Sequence, residues 1–209
     1  FQNQAEVDAH PSQLALGANA APGDLRFVDV NGDGILDSKD RTNIGDQIPA
    51  ATMGFNMQFN YKGFDFNAFT FASIGNDMVR NYERTLSDVN RMSYVLDRWT
   101  GEGTSNSVPR VTTGATTNNV FSDYFVEDAS YIRFRTITAR YNFDKKALTK
   151  MKLRSMSVFV TAENLFTITN YLGQDPEVSF RGSDPFRVLY DNSMTPPAKN
   201  ITLGIVAGF

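Results

Sequence analysis

Cysteine is absent from the 209 residues of the sequence, and histidine and tryptophan occur once each. Without cysteine, these residues form no disulfide, thiolate metal site or cysteine nucleophile. The single histidine, His10, precedes Pro11 in a polar segment, where we expect an exposed loop residue. One histidine also leaves little for zinc chemistry or a Ser-His-Asp triad.

An excess of positive charge is also missing, because the net charge is −3 and the sequence pI is about 5.2. We therefore expect no nucleic acid partner. Apolar runs are short, and none approaches the roughly 18 residues of a membrane-spanning helix. Membrane-spanning strands need no such run, since half of their side chains are polar.

Residues 51–73 instead contain two stretches in which apolar and polar residues alternate. Alternation with period two places the apolar side chains on one face of a strand. Between the stretches, Lys62-Gly63 fits a two-residue turn in which glycine takes a positive φ. This turn predicts that Tyr61 pairs with Phe64, Phe59 with Phe66 and Met57 with Ala68. Strands at 51–61 and 64–74 have the length that a tilted strand needs to cross a bilayer.

Three later segments show the same two-faced pattern, and we predict strands at 126–143, 152–165 and 198–209. Their apolar faces carry Ile137, Ala139, Tyr141 and Phe143, then Met156, Val158, Val160 and Ala162, then Ile201, Leu203, Ile205, Ala207 and Phe209. Short connections alternate with long ones. That alternation is typical of an outer-membrane β-barrel with tight periplasmic turns and long external loops.

The predicted organisation is an extracellular loop region at 1–50, followed by five barrel strands within 51–209. The remaining extracellular loops are 75–125 and 166–197. Leu86, Val89, Met92, Leu96 and Trp99 recur at helical spacing, so we predict a surface helix in the first of these loops.

Residues 29–40 match a calcium-binding loop of the EF-hand type. Oxygen-bearing side chains occupy positions 1, 3, 5, 9 and 12, with glycine at position 6, and these residues and spacings are what such a loop requires. Position 12 is aspartate where glutamate is usual, which weakens bidentate binding. The open alternative is an Asn/Asp/Gly turn without metal. The predicted ligands are Asp29, Asn31, Asp33, Ile35 through its carbonyl, Asp37 and Asp40.

Several stretches together resemble the C-terminal part of the SusC/RagA family of TonB-dependent outer-membrane transporters. They include GDLRFVDVNGDGILDSKDR at 23–41, FNYKGFDF at 59–66, DRW at 97–99, VPR at 108–110 and VEDASYIRFRTITARYNF at 126–143. TAENLFTITNY at 161–171 and ITLGIVAGF at 201–209 complete the series. The stretches follow the family's order and cover nearly all residues beyond about 22.

The resemblance implies an all-β fold, the C-terminal strands of an antiparallel transmembrane barrel of about 22 strands with a plug inside. It implies a Bacteroidetes-type outer membrane as the location, and import of oligosaccharides or peptides. The implied partners are the lipid bilayer, a SusD-like surface lipoprotein that acts as a lid, and TonB through an N-terminal part. Five strands do not close a barrel, so we expect the chain to be a fragment.

Four aromatic residues are candidates for substrate contact: Phe69, Phe71, Tyr82 and Trp99. Phe69 and Phe71 lie on the polar, lumen-facing side of their strand, where they either stack on a sugar or pack against the plug. Arg133 and Arg135 share the predicted face of Ile137, toward the outer end, within reach of headgroups or loop carboxylates.

Two other classes of protein remain open from the residues alone. A soluble, calcium-stabilised β module, such as an adhesin or a carbohydrate-binding module, would bury Phe59, Phe64 and Phe66 between two sheets. An enzyme is less favoured, because no carboxylate spacing defines an acid/base pair. We therefore predict that the protein is not an enzyme.

Overall fold

In the computed structural model, the chain forms two compact units. One unit comprises Phe1–Gly45 and Arg80–Val126, and the other comprises Asp46–Val79 and Glu127–Phe209. The structure describes residues 1–81, 91–150, 152–177, 190–191 and 195–209. The predicted division at residue 50 differs from this one, since residues 80–126 pack with the N-terminal residues.

The hairpin comprises β1 (Ala51–Tyr61) and β2 (Phe64–Ile74). Tyr61 pairs with Phe64, Phe59 with Phe66 and Met57 with Ala68, so the predicted register is confirmed. In the turn, φ is 45° at Lys62 and 88° at Gly63. Two positive φ values define the turn type that matches the twist of paired strands.

The hairpin belongs to a main sheet of six antiparallel strands. Its other members are β5 (Tyr131–Asn142), β6 (Ser155–Glu163), β7 (Thr167–Thr169) and β9 (Asn200–Gly208). The strand order is β1-β2-β5-β6-β9, and β7 pairs with β5. β6 and β9 are a few residues shorter than the predicted 152–165 and 198–209.

The apolar faces predicted for the separate strands fall on one side of this sheet. Ala68 lies opposite Ile137, Ile137 opposite Ala162, and Ala162 opposite Ile201. Directly paired residues share a face, so one apolar surface runs across all the long strands. Its large side chains are exposed on β1 and β9, with Phe55 62% and Leu203 80% accessible, whereas Ala68 on β2 is 3% accessible.

One extra residue in β5 changes the face on which its first residues lie. Thr136 pairs with Phe69, but the next pair is Phe134 with Thr70, so Arg135 has no opposite residue in β2. Such a β-bulge reverses the alternation beyond it. Arg133 therefore pairs with Phe71 on the polar face. The expectation that Arg133 shares the face of Ile137 is wrong, because simple alternation does not continue through the bulge.

The predicted strand at 126–143 is in fact two strands in different sheets. β4 (Val126–Asp128) ends where the Asp128 carboxylate accepts a hydrogen bond of 2.8 Å from the Ser130 amide, which turns the chain. β4 joins β3 (Asp77–Arg80) and β8 (Tyr190–Asp191) in a three-stranded sheet of order β4-β3-β8. β3, β7 and β8 lie within segments predicted as loops.

The helices are short. They are α1 (Gln4–Asp8), α2 (Lys145–Thr149) and four 3₁₀ turns at Leu14–Leu16, Ser38–Asp40, Ser93–Asp97 and Asp123–Phe125. The predicted helix around Leu86–Trp99 lies partly outside the described residues, and its described part is the Ser93–Asp97 turn. No helix in the described part of the chain has the length and apolar character to cross a membrane.

Candidate functional site

The polar face of the main sheet is lined by hydrogen-bonding side chains. On the hairpin it carries Asn56, Gln58, Asn60, Asp65 and Asn67. Neighbouring strands continue the pattern. The Thr138 and Thr161 hydroxyls lie 3.0 Å apart, and the Asn142 amide donates to Asp65 over 2.6 Å.

The two phenylalanines of this face have different surroundings. The Phe69 ring lies over Gly54, where a Cβ would be 3.4 Å from the ring, and Phe69 remains 40% exposed. The Phe71 ring centroid lies 6.1 Å from that of Tyr131, and the Arg135 guanidinium lies 5.6 Å from the Phe71 centroid. Phe69 therefore presents more surface to a ligand, whereas Phe71 packs within a cluster of neighbouring side chains.

Arg133 is the centre of a buried ion-pair cluster on the same face. Its side chain is 2% exposed and donates to both carboxylate oxygens of Asp175, at 2.6 and 2.7 Å. It also donates to Glu177 at 2.6 Å and to the Thr167 hydroxyl at 2.9 Å, and Arg135 pairs with Glu177. Because three different nitrogens of one planar guanidinium make these contacts, they fix the position and orientation of Arg133 together.

A cavity of about 280 Å³ adjoins this cluster. Arg133, Thr167 and Thr169 of the main sheet contribute to its lining, as do Gln174, Asp175 and Lys199. The lining combines hydroxyl, amide and charged groups. The sequence does not predict this site, because its lining residues are distant from one another along the chain.

In the other unit, Trp99 packs against the chain instead of projecting as a free platform. A Cβ on Gly23 would lie 2.4 Å from the indole Cε3, so only glycine allows this approach. The indole nitrogen of Trp99 donates to Gln2 over 3.2 Å. Tyr82, the fourth predicted contact residue, lies outside the described residues.

Asp24, next to Gly23, forms the hydrogen-bonding centre of this unit. Its fully buried carboxylate accepts from Arg110 Nε at 2.7 Å and from a second Arg110 nitrogen at 3.0 Å. It also accepts from Thr116 and Asn118. The hydrogen bonds that Arg110 donates to Asp24 raise the pKa of Arg110, so its guanidinium stays charged. The GDLRF, DRW and VPR stretches that are far apart in sequence thus meet here.

The predicted calcium loop is closed by hydrogen bonds from its own backbone. The Asp29 carboxylate accepts from the amides of Gly32 and Gly34, at 2.7 and 2.8 Å. Asn31 and Asp33 each accept from the amide two residues later. Gly32 and Gly34 take φ values of 74° and 80°, which allow the tight bend.

The end of the loop is held by its last aspartates. Asp37 and Asp40 form a capping box, in which Asp40 accepts from the Asp37 amide over 2.8 Å. This hydrogen bond is the main reason that the pKa of Asp40 is lowered from its ordinary value of 3.8. The Ile35 side chain is exposed, whereas Leu36 is buried. Leu36 is position 8 of the loop, where an apolar side chain anchors such a loop on a core.

The donor chemistry of the loop fits a hard cation, although the side chains point to the backbone. No group of three or more His, Cys, Asp or Glu side chains within the described residues is arranged to hold a metal as it stands. Each carboxylate oxygen has a second lone pair, however, so a hydrogen bond from a backbone amide does not prevent the same oxygen from coordinating a calcium ion. Carboxylate, amide and carbonyl oxygens are the ligands that calcium prefers.

An antiparallel sheet with bilayer-length strands, one exposed apolar face and one polar face defines part of the wall of a membrane β-barrel. The sheet is open, as expected for a partial wall.

Related sequences identify the kind of barrel. TonB-dependent receptor P3 of Formosa agariphila is 32% identical over 197 residues, which cover 91% of this chain and 19% of that protein. TonB-dependent receptor SusC of Bacteroides thetaiotaomicron is 30% identical, over 84% of this chain and 18% of that protein. The chain is therefore a relative of the SusC/RagA group of TonB-dependent receptors, and the resemblance seen in the sequence is confirmed.

Solved structures support the same fold. The RagAB peptide importer in its closed-closed state superposes with a TM-score of 0.66 at 23% identity, over 87% of this chain and 20% of that chain. The open-open state gives 0.61 at 23% identity, over 79% and 18%. No family model matches the chain. The chain spans about a fifth of the length of the curated relatives it matches.

Proposed function

We propose that this chain is the C-terminal part of the barrel of a TonB-dependent transporter in the outer membrane of a Bacteroidetes-type bacterium. The complete protein imports oligosaccharides or peptides, takes energy from TonB through its N-terminal part, and works with a SusD-like surface lipoprotein as a lid. Similarity to SusC and to a peptide importer supports this proposal.

One observation carries the proposal. The apolar side chains of β1 and β9 are exposed along the whole strands, with Phe59 at 59% and Ile201 at 70%. A contiguous apolar face of this extent is too large for contact with water. A lipid bilayer covers such a face, while the opposite polar face lines an aqueous passage.

Membrane extraction tests the location. We expect the full-length protein to sediment with membranes and to need detergent for release. A protein that is released by osmotic shock without detergent would contradict the proposal. The Bacteroides SusC homologue, extracted in parallel, is a suitable control.

The alternative of a soluble β module receives less support from the geometry. That alternative requires Phe59 and Phe64 to be buried between two sheets, but they are 59% and 58% exposed. The Asp24, Asp175 and Glu177 carboxylates are engaged in ion pairs, and the similar proteins are named as receptors and importers. These observations favour a role without catalysis.

We further propose that loop 29–40 binds calcium through Asp29, Asn31, Asp33, the Ile35 carbonyl, Asp37 and Asp40. The ion would stiffen a loop and take no part in a reaction. Because Asp40 is short and the loop is exposed, we expect an affinity near that of extracellular modules, with a Kd of about 0.1–1 mM.

Calcium titration of the full-length protein in detergent, followed by terbium luminescence and competition, tests this site. Asp29→Ala should remove the signal, since Asp29 holds position 1. Asp8→Ala, which lies outside the loop, should leave it unchanged. Terbium binding that survives Asp29→Ala would show that the ion lies elsewhere.

A further inference from the structure

After β7, the chain reverses and runs back along the polar face of β5. Thr167 pairs with Arg133 and Thr169 with Tyr131, so β7 runs antiparallel to β5. The chain then contacts Arg133 again through Asp175 and Arg135 through Glu177. Glu177 also contacts Arg133, so Asp175 and Glu177 both lie beside the first residues of β5 on its polar face.

The reversal is fixed on both sides. Before it, Tyr171 packs with Met78 and Ala129 in a buried cluster, and the Leu172 amide donates to Glu127 over 3.1 Å. Gly173 lies at the bend, where a Cβ would be 2.3 Å from the Tyr171 ring. After it, Asp175 and Pro176 are buried, while Gln174 remains exposed.

We propose that the 171–177 segment is an inward-folded constriction on the passage side of the barrel wall, and that Arg133 is the positioning residue that holds it there. This inference rests on the proposed function, because that function makes the polar face the wall of a passage. Near Phe71, the passage is then bordered by this segment instead of by the sheet alone.

The chemistry explains why one arginine holds the segment. The Arg133 guanidinium uses one nitrogen for Thr167 of the sheet and the other two for Asp175 and Glu177 of the segment. Arginine has this planar set of donors, and lysine does not. The bulge at Arg135 brings Arg133 to the polar face. The position of the 171–177 segment therefore depends on this bulge.

Spin labelling of the full-length protein in detergent or liposomes tests the inference. The label is placed at Gln174→Cys, after replacement of any cysteine elsewhere in the protein. We expect a motionally restricted spectrum in the parent protein and loss of the restricted component in Arg133→Gln. Arg140→Gln is the matched control, because Arg140 lies on the same face of β5 and contacts Phe159 instead of the segment.

Asp175→Asn provides a second variant if Arg133→Gln fails to assemble. It weakens the same contact from the segment side, leaves the sheet intact, and should also release the label. A mobile label in the parent protein, or an equal release by Arg140→Gln, would overturn the inference.

A separate label at Met57→Cys distinguishes this inference from the proposed function. Molecular oxygen should relax that label more strongly than a water-soluble nickel chelate, since Met57 lies on the apolar face. The reverse result contradicts the membrane location, whatever the behaviour of residue 174.

Discussion

At the scale of residues, a few buried polar side chains hold distant parts of this chain in their positions. Asp24 accepts several hydrogen bonds from residues distant in sequence, and Arg133 donates several to such residues. Breaking a buried ion pair by removal of one partner is costly, because the other charge is left without compensation. These two residues are therefore more sensitive positions than the many exposed carboxylates.

Asp24→Asn is expected to loosen its unit without unfolding the barrel. The substitution removes the charge that faces Arg110, which is 26% exposed on its side chain and so partly reached by water. We expect a local loss of about 1–3 kcal/mol, which corresponds to roughly fivefold to 150-fold faster amide exchange. Hydrogen exchange of the 21–27 and 110–118 segments in the full-length protein measures this effect.

The control for this experiment is Asp123→Asn, an exposed aspartate of the Asp123–Phe125 turn. It should leave the exchange of both segments unchanged. Equal acceleration in the two variants would mean that the Asp24 network has no special part in the stability of the unit.

At the scale of elements, the two faces of the hairpin have opposite tolerances for charge. Met57→Arg places a guanidinium on the apolar face, where arginine near the bilayer midplane costs about 2–4 kcal/mol. Gln58→Arg, one residue later, faces the polar side and should assemble normally. The fraction of protein with heat-modifiable mobility on a gel reports assembly, and equal tolerance would show that the faces are assigned wrongly.

The hairpin was predictable because its determinants are local. Alternation and the Lys62-Gly63 turn fix both its strands and its register. The Arg133 cluster was not predictable, because its partner Asp175 is 42 residues away and the bulge at Arg135 reverses the expected face. Likewise, the sequence predicts Trp99 as a substrate contact but does not show that its ring lies against Gly23.

At the scale of the whole molecule, the main sheet has two ends. β1 and β9 terminate the strand order, with no further neighbour among the described residues. A free edge presents unpaired amides and carbonyls and promotes aggregation. Five long strands also fall short of even the smallest eight-stranded barrel.

Expression of these 209 residues alone should therefore give insoluble material, whereas the full-length protein should fold in detergent. Sedimentation and size-exclusion chromatography compare the two. A soluble, monomeric fragment would contradict the interpretation of the sheet as part of a larger wall and would favour an independent module.

The single extra residue in β5 has a genetic consequence. Loss of the Arg135 codon would close the bulge and leave Arg133 on the passage side and Ile132 and Phe134 on the lipid side, because Thr136 and Phe134 would become neighbours and already lie on opposite faces. Loss of the bulge without loss of a residue would instead carry Arg133 to the lipid side. An in-frame deletion at this codon should therefore preserve both surfaces of the wall, although β5 becomes one residue shorter.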